Sequence, residues 1–138
     1  MFGRAQERKT FGRYLCDHGA VSDWIGRSRI EIEQARLLVL RAAWKIDKVG
    51  AKAAADDISL IKALIPTLQT TVVDRAMQTF GAMGISPDTP LPDMWTQGRS
   101  LRYADGPDEV HIRKISRMEI NKSRKNPAQT SVFYSNQR

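Results

Sequence analysis

Apolar residues recur along this chain at intervals of three and four, a spacing that predicts helices and not strands. From about Asp23 to Val49 the apolar positions include Ile25, Ile32, Ala35, Val39, Ala42, Ile46 and Val49, with no gap in the pattern from Ile32 onward. Asp23 lies near the start, where a carboxylate suits the positive end of the helix dipole. Gly50 follows the last periodic residue, where a glycine ends a helix. A second stripe, Ile58, Ile61, Ile65, Leu68, Val72, Ala76, Phe80 and Met83, predicts a helix over 53–83. Pro66 falls inside it, and because the stripe stays in phase on both sides the expectation is a kink and not a break. Two such helices joined by a short link should pack as an antiparallel hairpin.

The pattern changes at Gly84. Pro87, Pro90 and Pro92 make the stretch 84–92 a loop, and a shorter helix over 93–103 follows. Asp105, Gly106, Pro107, Asp108 and Glu109 then have the chemistry of a helix start, with a polar cap, a proline in the first turn and acids at the positive end. The last helix is expected over 107–122. Residues 123–138, rich in Ser, Thr, Gln and Asn beyond Pro127, show no period and are expected to form a disordered polar tail. No strand pattern and no internal repeat is visible. The fold class is all-α, an up-and-down helical bundle over residues 1–122.

Composition narrows the class further. A chain of 138 residues, 41% hydrophobic and 27% charged, suits one folded domain with a single core. No run approaches the roughly 20 apolar residues of a spanning helix, so no integral membrane segment is expected. The start, Met1 to Arg8, lacks the apolar core of a secretory signal. The one cysteine, Cys16, cannot form an intrachain disulfide and is expected to be an inert thiol beside Asp17. The net charge is +7, and most of the excess lies late in the chain, where Arg113, Lys114, Arg117, Lys122, Arg124, Lys125 and Arg138 face Glu119 alone. No aromatic residues are interleaved for base stacking, so this is expected to be a solvated face and not a nucleic-acid site. Salt-steep DNA binding would be the mark of the contrary reading, a basic helical nucleic-acid binder.

Spacing alone yields no enzyme. His18 and His111 pair with no cysteine or carboxylate at ligand spacing, so no metal site is expected. No nucleophile elbow, phosphate loop or dinucleotide fingerprint occurs. Three segments nevertheless stand out. In Arg8-Lys9-Thr10-Phe11-Gly12 the arginine offers a rigid fork suited to phosphate oxygens, although the residues taken alone favour a solvated surface loop. In Gln78-Thr79-Phe80-Gly81-Ala82-Met83-Gly84 small residues permit close approach of a backbone or ligand, and Gln78 adds an amide; ordinary helix-end punctuation is the alternative. In Tyr103 to His111, Asp105 is either a helix cap or, desolvated against a ligand, a general base.

Together and in this order, the three segments resemble the C-terminal domain of flavin-dependent acyl-CoA dehydrogenases. The first is similar to the family's Arg-x-x-Phe-Gly segment. The second is similar to its Gln-x-x-Gly-Gly-x-Gly segment, with Ala82 at the second glycine. Between them, Ala35-Arg36 and Ala42-Ala43-Trp44 to Asp47 resemble the family's Ala-Arg and Ala-Ala-Trp-x-x-Asp helix. The core Ala104-Asp105-Gly106-Pro107-Asp108-Glu109-Val110-His111 resembles the branch of acyl-CoA dehydrogenase family members 10 and 11.

The resemblance implies α,β-dehydrogenation of acyl-CoA thioesters, as in fatty acid β-oxidation, with FAD as cofactor and electron-transfer flavoprotein as acceptor. It assigns Arg8, Thr10, Phe11, Gln78 and Gly81 to FAD across a subunit interface, and Asp105 to the base that removes the α-proton. Pro107 stands where the family has a threonine on the flavin side, which removes that contact. The resemblance further implies an N-terminal helical domain and a central β-domain before this one, and a first bundle helix cut short before Arg8. Part of an apolar stripe should then lie exposed. The lone chain is expected to be incomplete for catalysis and to join a homo-oligomer or a full-length homologous subunit. A non-catalytic assembly module is the alternative. The compartment implied is mitochondrial or peroxisomal for a eukaryotic source and cytoplasmic for a bacterial one.

Overall fold

The computed structural model of the chain describes residues 1–125. The tail expected over 123–138 lies, from Asn126 onward, outside the described residues. The chain opens with α1, Phe2–Glu7, followed by a small antiparallel hairpin of β1, Lys9–Thr10, and β2, Arg13–Tyr14. Its loop is Phe11-Gly12, with φ of 51° and 80°. Positive φ at both central positions is the type I′ pattern, whose twist matches the flanking strands. No strand was expected here, because two-residue strands offer no alternation to read.

A 3₁₀ turn at Leu15–Asp17 leads into α2, Gly19–Ala53. At Gly50 the backbone leaves helical geometry with φ 80° and ψ 160°, so the expected glycine stop is present and a short helical turn follows it. α3, Ala55–Phe80, runs without interruption across Pro66. A second 3₁₀ turn, Gly81–Ile85, precedes the proline-rich loop. α4 is Leu91–Leu101 and α5 is Asp108–Lys125, which carries the last helix three residues beyond the expected 122. The all-α class holds, with the hairpin as a small addition. No helix among the described residues is long and apolar enough to cross a membrane.

α3 is the central element, packed against α2, α4 and α5. The α2–α3 register is antiparallel, as expected, and ion pairs mark it at both ends. Near the link, Asp57 meets Lys45 Nζ at 2.5 Å and Arg41 Nη2 at 2.9 Å. Near the far end, Arg75 grips Glu31 with both terminal nitrogens at 2.6 and 3.0 Å and also donates to Ser28 Oγ at 3.1 Å. α4 also runs against α3, with Gln69 Nε2 bonded to the Met94 carbonyl and Lys62 Nζ to the Leu101 carbonyl.

The seam of α2 against α3 is lined on the α2 side by the buried Val21, Ser28, Ala35 and Ala42, one every seven residues. On α3 the buried Ser59, Pro66 and Val73 lie on the side away from the Asp57 and Arg75 clamps, where α4 and α5 pack. Small side chains on α2 let its backbone approach α3, and the bulkier members of its stripe flank the seam. Ile32 is 41% and Val39 39% exposed, and Leu37, Leu40 and Trp44 are exposed as well. The expected exposure of part of the apolar stripe is therefore present.

The two polar clamps make a prediction about acid. The Glu31 carboxyl is held below the ordinary carboxylate range, first by the hydrogen bond from Arg75, although its loss of water works against this. The Asp57 carboxyl is held low first by the bond from Lys45. A depressed folded pKa contributes stability that is full above the unfolded value and is lost as pH falls through the folded one. Stability should therefore decline as pH drops below about 4. Glu31→Gln and Asp57→Asn should each lower stability at neutral pH and flatten that acid limb, measured by urea unfolding at a series of pH values. An unchanged acid limb in both variants would remove the clamps from this role.

Candidate functional site

The first expected segment is displayed at the tip of the hairpin. The Arg8 N–H bonds the Arg4 carbonyl at 3.1 Å, and the Arg8 carbonyl accepts from the Leu15 N–H at 2.9 Å, so the backbone is tied while the side chain is exposed. Phe11 is 98% exposed and, as a bulky residue at φ 51°, is held in a backbone conformation that side chains avoid. Its ring meets the His18 ring edge-on at 6.4 Å. Thr10 is bound inward, with its Oγ1 3.2 Å and its carbonyl 3.1 Å from His18 Nε2.

The second segment closes α3. Gln78 is exposed, and Gly81 takes φ 67° with open space where a Cβ would stand. Gly84 is buried, and a Cβ there would lie 2.3 Å from the Met77 carbonyl oxygen. Small residues do permit a close approach here, and at Gly84 the approach is to the chain's own backbone. Arg4, on α1, stacks over the Phe80 ring at 5.8 Å, which brings the first and second segments to the same end of the helical hairpin.

The third segment lies elsewhere. Asp105 is exposed, at φ 52°, and Gly106 follows at φ 100°. This turn places Asp105 before the helix it was expected to cap. α5 begins at Asp108, whose Oδ2 accepts from Arg102 Nε at 2.5 Å, while its buried Oδ1 has no partner. Among the described residues no group hydrogen-bonds the Asp105 carboxylate. It stands at a groove of about 490 Å³ lined by Val39, Ile58, Ile61, Ile65, Leu101 and His111. A second apolar groove, about 410 Å³, is lined by Ile32, Val39, Ile65, Leu68, Val72 and Met94. Val39 and Ile65 belong to both.

The turn has two contacts that the sequence pattern did not single out. Lys62 Nζ donates to the Leu101 carbonyl at 2.7 Å and to the Gly106 carbonyl at 3.1 Å. His111 Nε2 lies 3.2 Å from the Asp105 carbonyl oxygen. The signal for Lys62 was present, since it is a cation four residues after Ile58 and three before Ile65, inside the apolar stripe. Lys62 and Gln78 share α3, about 24 Å apart at 1.5 Å per residue. The chain thus gathers Arg8, Phe11, Gln78 and Gly81 at one end and holds Asp105 toward the other. One carboxylate and one displayed set of donors cannot meet the same small group within a single chain.

A family model described as acyl-CoA dehydrogenase, C-terminal domain, matches residues 1–119. Acyl-CoA dehydrogenase family member 10 of Mus musculus is 50% identical over 122 residues, which cover 88% of this chain and 11% of that protein. A solved chain from Mycobacterium abscessus superposes with a TM-score of 0.85 at 43% identity, covering 88% of this chain and 30% of that one. The FAD complex of PigA superposes with a TM-score of 0.78 at 27% identity, covering 85% of this chain and 30% of that one. The chain therefore spans less than a third of the length of each of these relatives.

Proposed function

The chain belongs to the acyl-CoA dehydrogenase family, matching its C-terminal domain, and from that premise we propose that it serves α,β-dehydrogenation of acyl-CoA thioesters with Asp105 as the α-proton base. The observation that carries the reading is Asp105 itself, an unpaired carboxylate in a left-handed turn at the rim of an apolar groove. A thioester α-proton is removed efficiently only where its carbonyl is polarised and water is excluded. The branched side chains of the groove give an apolar wall, and a bound acyl chain and partner subunit would complete the exclusion around the exposed carboxylate. An apolar acyl chain suits the lining. The Asp105 carboxylate takes the proton and carries it as a neutral acid.

The residues proposed for FAD fit such a group. An exposed guanidinium at Arg8, an exposed ring at Phe11, an exposed amide at Gln78 and bare backbone at Gly81 are suited to an anionic, aromatic dinucleotide. Thr10 would hold its place in the set through its own hydroxyl, which His18 orients. The chemistry supplied by bound FAD is acceptance of the hydride that leaves the β-carbon. Gln78 lies about 24 Å along α3 from Lys62 at the Asp105 end, a separation that suits these residues to a different copy of the site from the one Asp105 serves. That separation favours a homo-oligomer or a full-length homologous subunit as partner; electron-transfer flavoprotein is the acceptor that the family resemblance implies.

The flavin assignment is tested in such an assembly. Arg8→Ala and Gln78→Ala should each weaken flavin retention by about 10-fold, the worth of one hydrogen bond to a charged group. Asp105→Asn should leave it unchanged. Equal retention by all three variants would remove Arg8 and Gln78 from the cofactor. The purified chain alone, with half the contacts, is expected to be colourless; a multimer with stoichiometric FAD would mean that this domain organises a flavin site unaided. The exposed apolar positions Leu37, Leu40 and Trp44 on α2 favour one second reading, a non-catalytic assembly module. Its mark would be capture of a full-length subunit whose turnover is indifferent to Asp105→Asn in this chain.

A further inference from the structure

An isolated carboxylate needs something to aim it. Asp105 is not glycine, and at φ 52° its backbone lies in the left-handed region that glycine favours, so the surrounding contacts must outweigh the strain. Its own side chain contributes none of them. The contacts come from Lys62 and His111, and both grip main-chain carbonyls. Lys62 reaches out of the α3 stripe to the Leu101 carbonyl, at the C-terminal end of α4, where unpaired carbonyls carry partial negative charge. The same ammonium reaches the Gly106 carbonyl, so one cation ties the end of α4 to the turn. The Asp105 carbonyl can only accept, so His111 Nε2 must carry the proton that bonds it. The other ring nitrogen, Nδ1, is buried without a partner, which leaves that tautomer undisturbed. A Cβ on Gly106 would stand 3.4 Å from His111 Nε2, so the ring also closes one side of the turn.

We infer that Lys62 and His111 are positioning residues that lock the Asp105–Gly106 turn and thereby aim the Asp105 carboxylate across the groove. Both side chains line that groove with Asp105. Turned to carbonyls and not to the carboxylate, the ammonium leaves both Asp105 oxygens free. The inference rests on Asp105 being the base, whereas the clamp on the turn is independent of that assignment.

Lys62→Met keeps the length of the side chain and removes its donors. In isotope-labelled chain, the coupling constants and carbon shifts that mark positive φ at Asp105 should be lost, while those of the Glu31–Arg75 region stay. In a dehydrogenase assembly carrying this chain as its C-terminal domain, kcat on a straight-chain acyl-CoA should fall by about 100-fold, with KM within about twofold, as for a misaimed group. Lys62→Arg, which can still reach the carbonyls, should recover much of that loss. Should Lys62→Met not fold, His111→Gln carries the same test with a smaller expected loss of kcat. Either variant folded, with positive φ and kcat both intact, overturns the inference. Loss of positive φ in Lys62→Met beside full turnover in Asp105→Asn would sink the base assignment and leave the clamp standing.

Discussion

Asp105→Asn, placed in an assembled dehydrogenase that carries this chain as its C-terminal domain, is expected to lower turnover by about 1,000-fold. The amide matches the carboxylate in size and cannot accept a proton, so the change isolates proton removal from packing. The turn should be untouched, because its fastenings are the carbonyls of Leu101, Asp105 and Gly106 and not the Asp105 side chain. Asparagine also tolerates a left-handed backbone well, which removes strain as a rival explanation. Steady-state kinetics on a straight-chain acyl-CoA would read the loss in kcat, with flavin content per subunit as the control. Near-normal turnover with full flavin would mean that another group removes the proton.

The second large effect concerns stability. Gly84→Ala should cost about 3 kcal/mol, because the new Cβ would stand 2.3 Å from the Met77 carbonyl oxygen and 2.7 Å from its Cα. Those atoms are helix backbone and cannot swing aside, so either the 3₁₀ turn Gly81–Ile85 or the end of α3 must move. Thermal unfolding should show a midpoint lower by roughly 10 °C. Gly26→Ala is the matched control, since nothing lies within 4 Å of its added Cβ and alanine is the better helix former. It should hold or raise the midpoint. Equal midpoints for the two variants would mean that the close approach at Gly84 relaxes without cost.

The Gly84 variant also bears on the flavin proposal. Gln78 and Gly81 lie on the segment that would shift, whereas Asp105 lies toward the other end of α3. A folded Gly84→Ala chain should therefore impair flavin retention in an assembly more than it disturbs the Asp105 turn.

The helices, their order and their approximate limits were legible in the sequence, because a repeat of three and four is a local property that any short window displays. Gly50 and the prolines from Pro87 to Pro92 were equally plain, since their backbone limits need no partner to act. The three segments could be picked out by residue type, and the resemblance gave them roles. What the pattern could not rank was depth. Ile32 and Val39 carried the strongest apolar signal on α2, yet Ser28, Ala35 and Ala42 are the buried line, because close backbone approach at the seam selects small side chains.

Tertiary structure alone decided the site. The tie between Lys62 and Gly106 joins residues far apart in the chain, and no window contains both. Asp105 looked like a helix cap from its neighbours, but Gly106 turns the chain away and α5 starts at Asp108 instead. The grouping of Arg8 with Gln78, and their distance from Asp105, depends on α1 settling against the end of α3 through Arg4 and Phe80. Sequence determines what each segment prefers locally. Which segments face one another is settled by packing, where the burial of a few small residues outweighs the local preference of any one of them.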